Sequence, residues 1–101
     1  VRIEFHPEAL AEFKDAAQHY AGCQENLEVR FIVAVETVLD RIQQNPEWGR
    51  FFEDDIRRNL THIFPYAVLY SIEPDYLLII AVMHCNREPG YWRHRLSSPH
   101  P

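Results

Sequence analysis

Lysine is nearly absent: Lys14 is the only one in 101 residues. Binding nucleic acid by neutralising phosphates needs a field of positive charge. The formal net charge here is −5 at pH 7, so composition argues against a chain that wraps nucleic acid. Glycine is scarce as well. Gly22, Gly49 and Gly90 stand far apart, which excludes a glycine-rich loop that cradles phosphates on successive backbone N–H groups. Only Cys23 and Cys85 are present, too few for the disulfide framework of a small secreted scaffold, and both are expected as free, buried thiols. His84, Cys85 and His94 lack the second close pair that a four-ligand zinc site requires, and neighbouring strand residues point to opposite faces. No metal and no cofactor is expected. The longest apolar run, Leu77 to Met83, falls far short of the roughly 20 residues needed to cross a bilayer and reads as a buried strand. The opening Val1-Arg2-Ile3-Glu4-Phe5 lacks the basic and then apolar pattern of a secretory leader. The expected location is the cytoplasm, with no membrane contact.

What is present suits one modest core. Hydrophobic residues make up 47% and charged residues 25%, which excludes both a disordered and a fibrous chain. The length fits a single domain. Residues 1–95 are expected to form it, with 96–101 as a frayed tail. Charge is unevenly spread: residues 1–55 hold 12 acids against 5 bases, and residues 56–101 hold 3 acids against 5 bases. Either the two halves have different electrostatic roles, or the charges are scattered over solvated faces.

The order of elements is legible from periodicity. Val1, Ile3 and Phe5 alternate with Arg2 and Glu4, a strand with one buried face. Pro7-Glu8 opens a helix, because proline suits the first helical position and a carboxylate complements the positive end of the dipole. Leu10, Phe13, Ala17 and Tyr20 share one face of that helix, and Gly22 is its expected stop. A second helix is expected over about Asn26 to Gln44, with Leu27, Phe31, Val35, Val38 and Ile42 in one stripe, ended by Asn45-Pro46. The short link makes the two helices an antiparallel hairpin. After a loop from Pro46 to Asp55, strands are expected at about Ile56 to Thr61, Ala67 to Ile72 and Tyr76 to His84, the last buried on both faces and central in the sheet. The fold class is α+β: an N-terminal strand, then a helical hairpin packed on a twisted antiparallel sheet, in the order β-α-α-β-β-β.

Seven pieces of the chain carry a resemblance. They are His6-Pro7-Glu8-Ala9, Arg30-Phe31, Asn45-Pro46, Ile56-Arg57-Arg58, Phe64-Pro65-Tyr66, Val68-Leu69-Tyr70 and the segment from His84 through Asn86-Arg87-Glu88-Pro89-Gly90 to Trp92. In this order, over roughly residues 1–95, the chain resembles the RelE/ParE toxin superfamily, the toxins of type II toxin–antitoxin (plasmid stabilisation) systems. The resemblance implies a cognate antitoxin protein as partner, held in the groove between hairpin and sheet. Homodimer and heterotetramer with the antitoxin both stay open. It also implies one of two activities. RelE-like toxins are ribosome-dependent mRNA endonucleases needing no metal, whereas ParE-like toxins cut nothing and act by binding DNA gyrase.

Cleavage of RNA by its own 2′-hydroxyl needs a proton acceptor, a proton donor and fixed cations at the phosphate. Arg57, Arg58, His84, Arg87 and Tyr91 include those side-chain types and are the candidate site residues. If the strands bring them together, Arg57 or Arg58 would clamp a phosphate with Arg87, and His84 or Tyr91 would move protons. Each has a plainer role available. Arg57 and Arg58 alternate across a strand, so at most one faces any site; Arg87 can pin the C-terminal segment; Tyr91 and Trp92 can cover the end of a core. The missing lysine cluster and the net negative charge favour the ParE-like, non-enzymatic reading. A third reading is a non-toxic binding protein on the same fold, for which Trp48, Phe51 and Phe52 in the loop are partner-contact candidates.

Overall fold

A computed structural model describes residues 1–96. The expected tail at 96–101 therefore lies, apart from Leu96, outside the described residues. The chain runs β1 (Arg2–Phe5), α1 (Pro7–Ala21), α2 (Leu27–Gln44), a 3-10 turn at Pro46–Trp48, β2 (Arg50–Glu53), β3 (Ile56–Leu60), β4 (Tyr66–Ile72), β5 (Tyr76–His84) and a second 3-10 turn at Arg93–Arg95. The sheet has the order β1-β5-β4-β3-β2. Both helices lie on one of its faces, so the α+β architecture is the one expected.

Three local features refine that expectation. The segment expected to be loop from Pro46 to Asp55 contains β2, which pairs with β3 through a register shift between Phe51 and Glu53. The shift hides the strand from pattern reading, because an extra residue breaks the period of two. Next, β1 pairs with β5 in parallel, whereas the other three pairings are antiparallel. The helical hairpin between β1 and the rest of the sheet supplies the crossover that a parallel pair needs. Last, Leu10 is 37% exposed, and the buried arc of α1 is Ala9, Ala16 and Ala17. Small side chains let this helix lie close to β5, while Phe13, Ala17 and Tyr20 of the expected stripe face the main core and Leu10 alone departs from it.

On α2, Phe31, Val35, Val38 and Ile42 are buried as one stripe. They form the main core with Val68, Tyr70, Leu77, Ile79 and Val82 of the sheet. The ring of Phe31 meets those of Tyr20, Phe64 and Tyr66 at centroid distances of 5.0, 5.3 and 5.1 Å. The opposite face of the sheet carries a second, smaller core of Ile56, Ala67, Leu69, Ile80, Ala81, Met83 and Trp92. A bulge in β5 sets the division between them. The partner register with β4 shifts between Leu69 and Tyr70, leaving Ile80 as the extra residue. Side chains after it change parity: Leu77 and Ile79 face the helices, and so does Val82.

Tyr70 organises the turn before β2. Its hydroxyl accepts the Gly49 N–H at 3.0 Å and donates to the Pro46 carbonyl at 2.7 Å. A Cβ at position 49 would lie 2.4 Å from that hydroxyl, so only glycine fits the approach. Tyr70→Phe is expected to destabilise the protein by about 1–2 kcal/mol, because the Gly49 N–H and Pro46 carbonyl lose their partner. Urea unfolding measures this, and a loss below about 0.5 kcal/mol would show that water replaces the hydroxyl freely.

Candidate functional site

The candidate residues do not converge on one place. Arg57, on β3, donates to the carbonyls of Glu47 and Gly49 at 3.1 and 2.8 Å, and its guanidinium lies 3.9 Å from the centre of the Phe51 ring. It staples the turn before β2. Arg58 projects from the other side of the same strand, 4.9 Å from the Phe52 ring. Trp48, Phe51 and Phe52 are 46%, 63% and 39% exposed, and Arg41 lies over Trp48. An arginine therefore accompanies each of these three aromatics on the surface.

His84, Arg87 and Tyr91 do come together. They line an open cleft of about 260 Å³ with Glu12, Asp15, Ala16 and His19 of α1 and Tyr66 and Val82 of the sheet. The His84 ring stands edge-on to Tyr66 at 5.1 Å, and its Nδ1 accepts the Asn86 N–H at 3.0 Å, which leaves the proton of the neutral ring on Nε2. Arg87 is exposed, its guanidinium 3.9 Å from the centre of the Tyr91 ring. Gly90, at φ +76°, makes the turn that brings Tyr91 back to the sheet.

Beneath the cleft is a residue that sequence reasoning missed. Glu12 accepts four hydrogen bonds: Oε1 from the Val82 N–H at 3.0 Å and Arg95 Nη1 at 2.8 Å, Oε2 from the Tyr91 hydroxyl at 2.5 Å and Arg95 Nη2 at 3.0 Å. Arg95 Nη1 also donates to the Ile80 carbonyl at 2.8 Å, and the Arg95 side chain is 4% exposed against 17% for Glu12. Burial opposes the charge on Arg95, but the hydrogen bonds and attraction of Glu12 outweigh it and hold the guanidinium above its ordinary value. Burial, and then the bond to Glu12, push the Tyr91 phenol far up. It keeps its proton at neutral pH and is not poised to act as a base.

Two outer contacts complete the attachment of the C-terminal segment. Arg93 makes paired 2.6 Å hydrogen bonds to Glu53, and His94 Nε2 lies 2.9 Å from Glu8 Oε1. Pinning, offered above as a role for Arg87, thus falls to Arg93, His94 and Arg95. The hydrogen bond with His94 lowers Glu8 and that with Arg93 lowers Glu53, each against a smaller opposing effect of burial. A carboxyl lowered in the folded state contributes stability that is complete above its unfolded pKa and is lost as pH falls through the folded one. The outer contacts should therefore loosen below about pH 4. The Arg93 Nε–H proton resonance, set by the hydrogen bond to Glu53, is expected to move between about pH 5 and pH 3. A resonance that stays fixed over that range would contradict this.

Both cysteines are free and exposed, contrary to the expectation of burial. Cys85 comes one residue after β5 ends and Cys23 lies between the helices, so neither enters a core. Among the described residues no group of three histidine, cysteine or acidic side chains is placed to hold a metal ion, and no helix is long and apolar enough to cross a membrane.

A helical hairpin lies on one face of a five-stranded sheet, and an aromatic and basic C-terminal segment closes the other, which makes this a small two-layer α+β protein. The family model for the ParE toxin of the type II toxin–antitoxin system parDE matches residues 3–89, and the chain belongs to that family. A solved structure titled as the chromosomal ParDE toxin–antitoxin system from P. aeruginosa superimposes with a TM-score of 0.62 at 13% identity, covering 83% of this chain and 95% of that one. At that identity the likeness concerns the fold. A search of curated protein sequences finds no match.

Proposed function

We propose that this toxin works without cutting RNA: in the cytoplasm it binds a protein target, DNA gyrase being the one expected, through the cleft at Arg87, and a protein antitoxin neutralises it. The observation that carries the reading is the dispersal of the phosphate clamp. Arg57 is spent on the carbonyls of Glu47 and Gly49, Arg58 lies over Phe52, and Arg87 is left with a phenol that burial, and then the bond to Glu12, keep protonated. One exposed arginine on an aromatic ring beside an open cleft suits a protein contact, since arginine and tyrosine anchor interfaces.

The deciding experiment pairs two assays of the purified chain. Inhibition of gyrase supercoiling that is lost in Arg87→Ala, with intact messenger RNA on translating ribosomes, is the expected result. Codon-positioned cuts that vanish in Arg87→Ala would establish the endonuclease instead. Expression without antitoxin is expected to arrest growth, and unaffected growth at high soluble yield would favour the inert binding protein.

A specific surface favours the antitoxin part of the reading. A groove of about 560 Å³ runs between α2 and the β3–β4 connection, lined by Val29, Val33, Leu60 and Ile63, which are 56%, 54%, 56% and 70% exposed, with Arg30, Arg41 and His62 alongside. Ile63 sits at φ +75°, a costly conformation for a β-branched residue, and it holds that side chain out at the groove. The occupant that fits is an amphipathic antitoxin helix with aliphatic anchors flanked by acids. Val33→Asp is expected to abolish neutralisation on co-expression, and a complex that survives it would remove the groove from the interface.

A further inference from the structure

We propose that Glu12 is the positioning residue of the target-facing cleft: by fixing Tyr91 and Arg95 against the free edge of β5, its carboxylate sets the direction in which Arg87 is presented. The inference rests on the reading of that cleft as the target surface.

The argument begins with a sheet edge. β1 is four residues long and β5 is nine, and their pairing ends at Phe5 and Ile79, where the His6 N–H donates to the Ile79 carbonyl at 2.9 Å. From Ile80 onward β5 has no strand on that side among the described residues. A buried edge cannot leave its backbone polar groups without partners. Two side chains take the place of a strand: Glu12 accepts the Val82 N–H, and Arg95 donates to the Ile80 carbonyl. Glu12 and Arg95 then close on each other through two parallel hydrogen bonds.

An ionised carboxylate offers about four acceptor sites, and all four here are taken. The group therefore has no alternative orientation that keeps its partners. The fourth bond matters for the cleft. It fixes one end of Tyr91, while the next residue, Trp92, is fully buried in the second core. The phenol ring is held as a platform, and the guanidinium of Arg87 lies on it. Arg87 itself sits in an exposed turn, where an unsupported arginine would sample many rotamers. Its stacking on a fixed ring lowers the entropy it must lose on meeting a partner. Glu12 acts on the target through Tyr91 and does not need to touch it.

The test uses the full chain and two readouts. In solution NMR, the δ and ε protons of Arg87 should be shifted upfield by the Tyr91 ring in the wild type. Tyr91→Leu, which removes the ring, gives the reference for the shift lost. In Glu12→Gln, which keeps size but loses charge and turns an acceptor into a donor, that shift is expected to collapse. Tyr91→Phe, which removes only the hydroxyl and leaves the Glu12–Arg95 pair, should give the same collapse and keeps the test decisive if Glu12→Gln unfolds. Inhibition of gyrase by Tyr91→Phe should fall by up to about tenfold, the size of the ordering cost of one long side chain that is no longer held in place. An Arg87 shift unchanged in Tyr91→Phe would overturn the proposal, leaving Glu12 only a structural role. A wild type that inhibits nothing would defeat the target reading, while the NMR result would still decide the role of Glu12.

Discussion

Trp92→Ala is expected to destabilise the protein by about 4 kcal/mol, lowering Tm by roughly 15–30 °C. The indole is fully buried on the helix-free face of the sheet, against the core of Ile56, Leu69, Ile80 and Met83. Removing it leaves a cavity in the smaller of two cores, where few other side chains can move in to fill the space. It also frees the residues on either side, so Tyr91 and Arg95 lose the anchor that holds them near Glu12. Thermal unfolding followed by circular dichroism measures the effect. A loss below about 1.5 kcal/mol would mean that the site collapses easily and that the C-terminal segment is peripheral to the fold.

Arg95→Ala is the second large effect, about 3 kcal/mol, for an electrostatic reason. Truncating one partner of a buried pair leaves the other charge without compensation, and this costs more than the pair contributes when intact. Glu12 would keep the Val82 N–H and the Tyr91 hydroxyl but lose both guanidinium bonds, and the Ile80 carbonyl would lose its donor. The diagnostic is a double-mutant cycle. In a Glu12→Gln background, Arg95→Ala is expected to cost at least about 1 kcal/mol less, because no buried carboxylate remains to be stranded. Equal costs in the two backgrounds would show that Arg95 contributes by packing and the Ile80 carbonyl bond, independently of the Glu12 charge.

Trp92 was read from the sequence as able to cover the end of a core, and it does; Arg95 and its partner Glu12 were passed over, and the reason is instructive. α2 was legible because its buried residues recur at helical spacing from Phe31 to Ile42, information contained within eighteen residues. β5 was legible as a continuous apolar run with the bounds it has, Tyr76–His84. By contrast, Glu12 reads as one more carboxylate on an amphipathic helix, one turn after Glu8. Its partner Arg95 is 83 residues away. The one available signal was two acids a turn apart on α1 and a His94-Arg95 pair near the end of the chain, complementary in charge but with nothing to say that they meet. β2 escaped for a different reason: Arg50-Phe51-Phe52-Glu53 contains a bulge, so its side chains do not alternate.

The candidate site shows the same division. Sequence likeness pointed to Arg57, Arg58, His84, Arg87 and Tyr91, and the three from the end of β5 and the turn after it share a cleft. The other two lie on β3, separated from β5 by β4, and each is engaged by an aromatic of the β2 segment.

By itself the sequence determined the helical hairpin, the long apolar strand β5, the α+β class and the toxin family, because those depend on local periodicity and on short pieces in a fixed order; the centre of the sheet, expected for β5, falls to β4. Only the tertiary structure decided which charges are committed. A carboxylate becomes a structural hub, and an arginine a presented contact, according to whether a strand edge and a buried partner stand beside it. That is set by the bulge at Ile80, the shortness of β1 and the return of residues 91–95, none of which has a local signature.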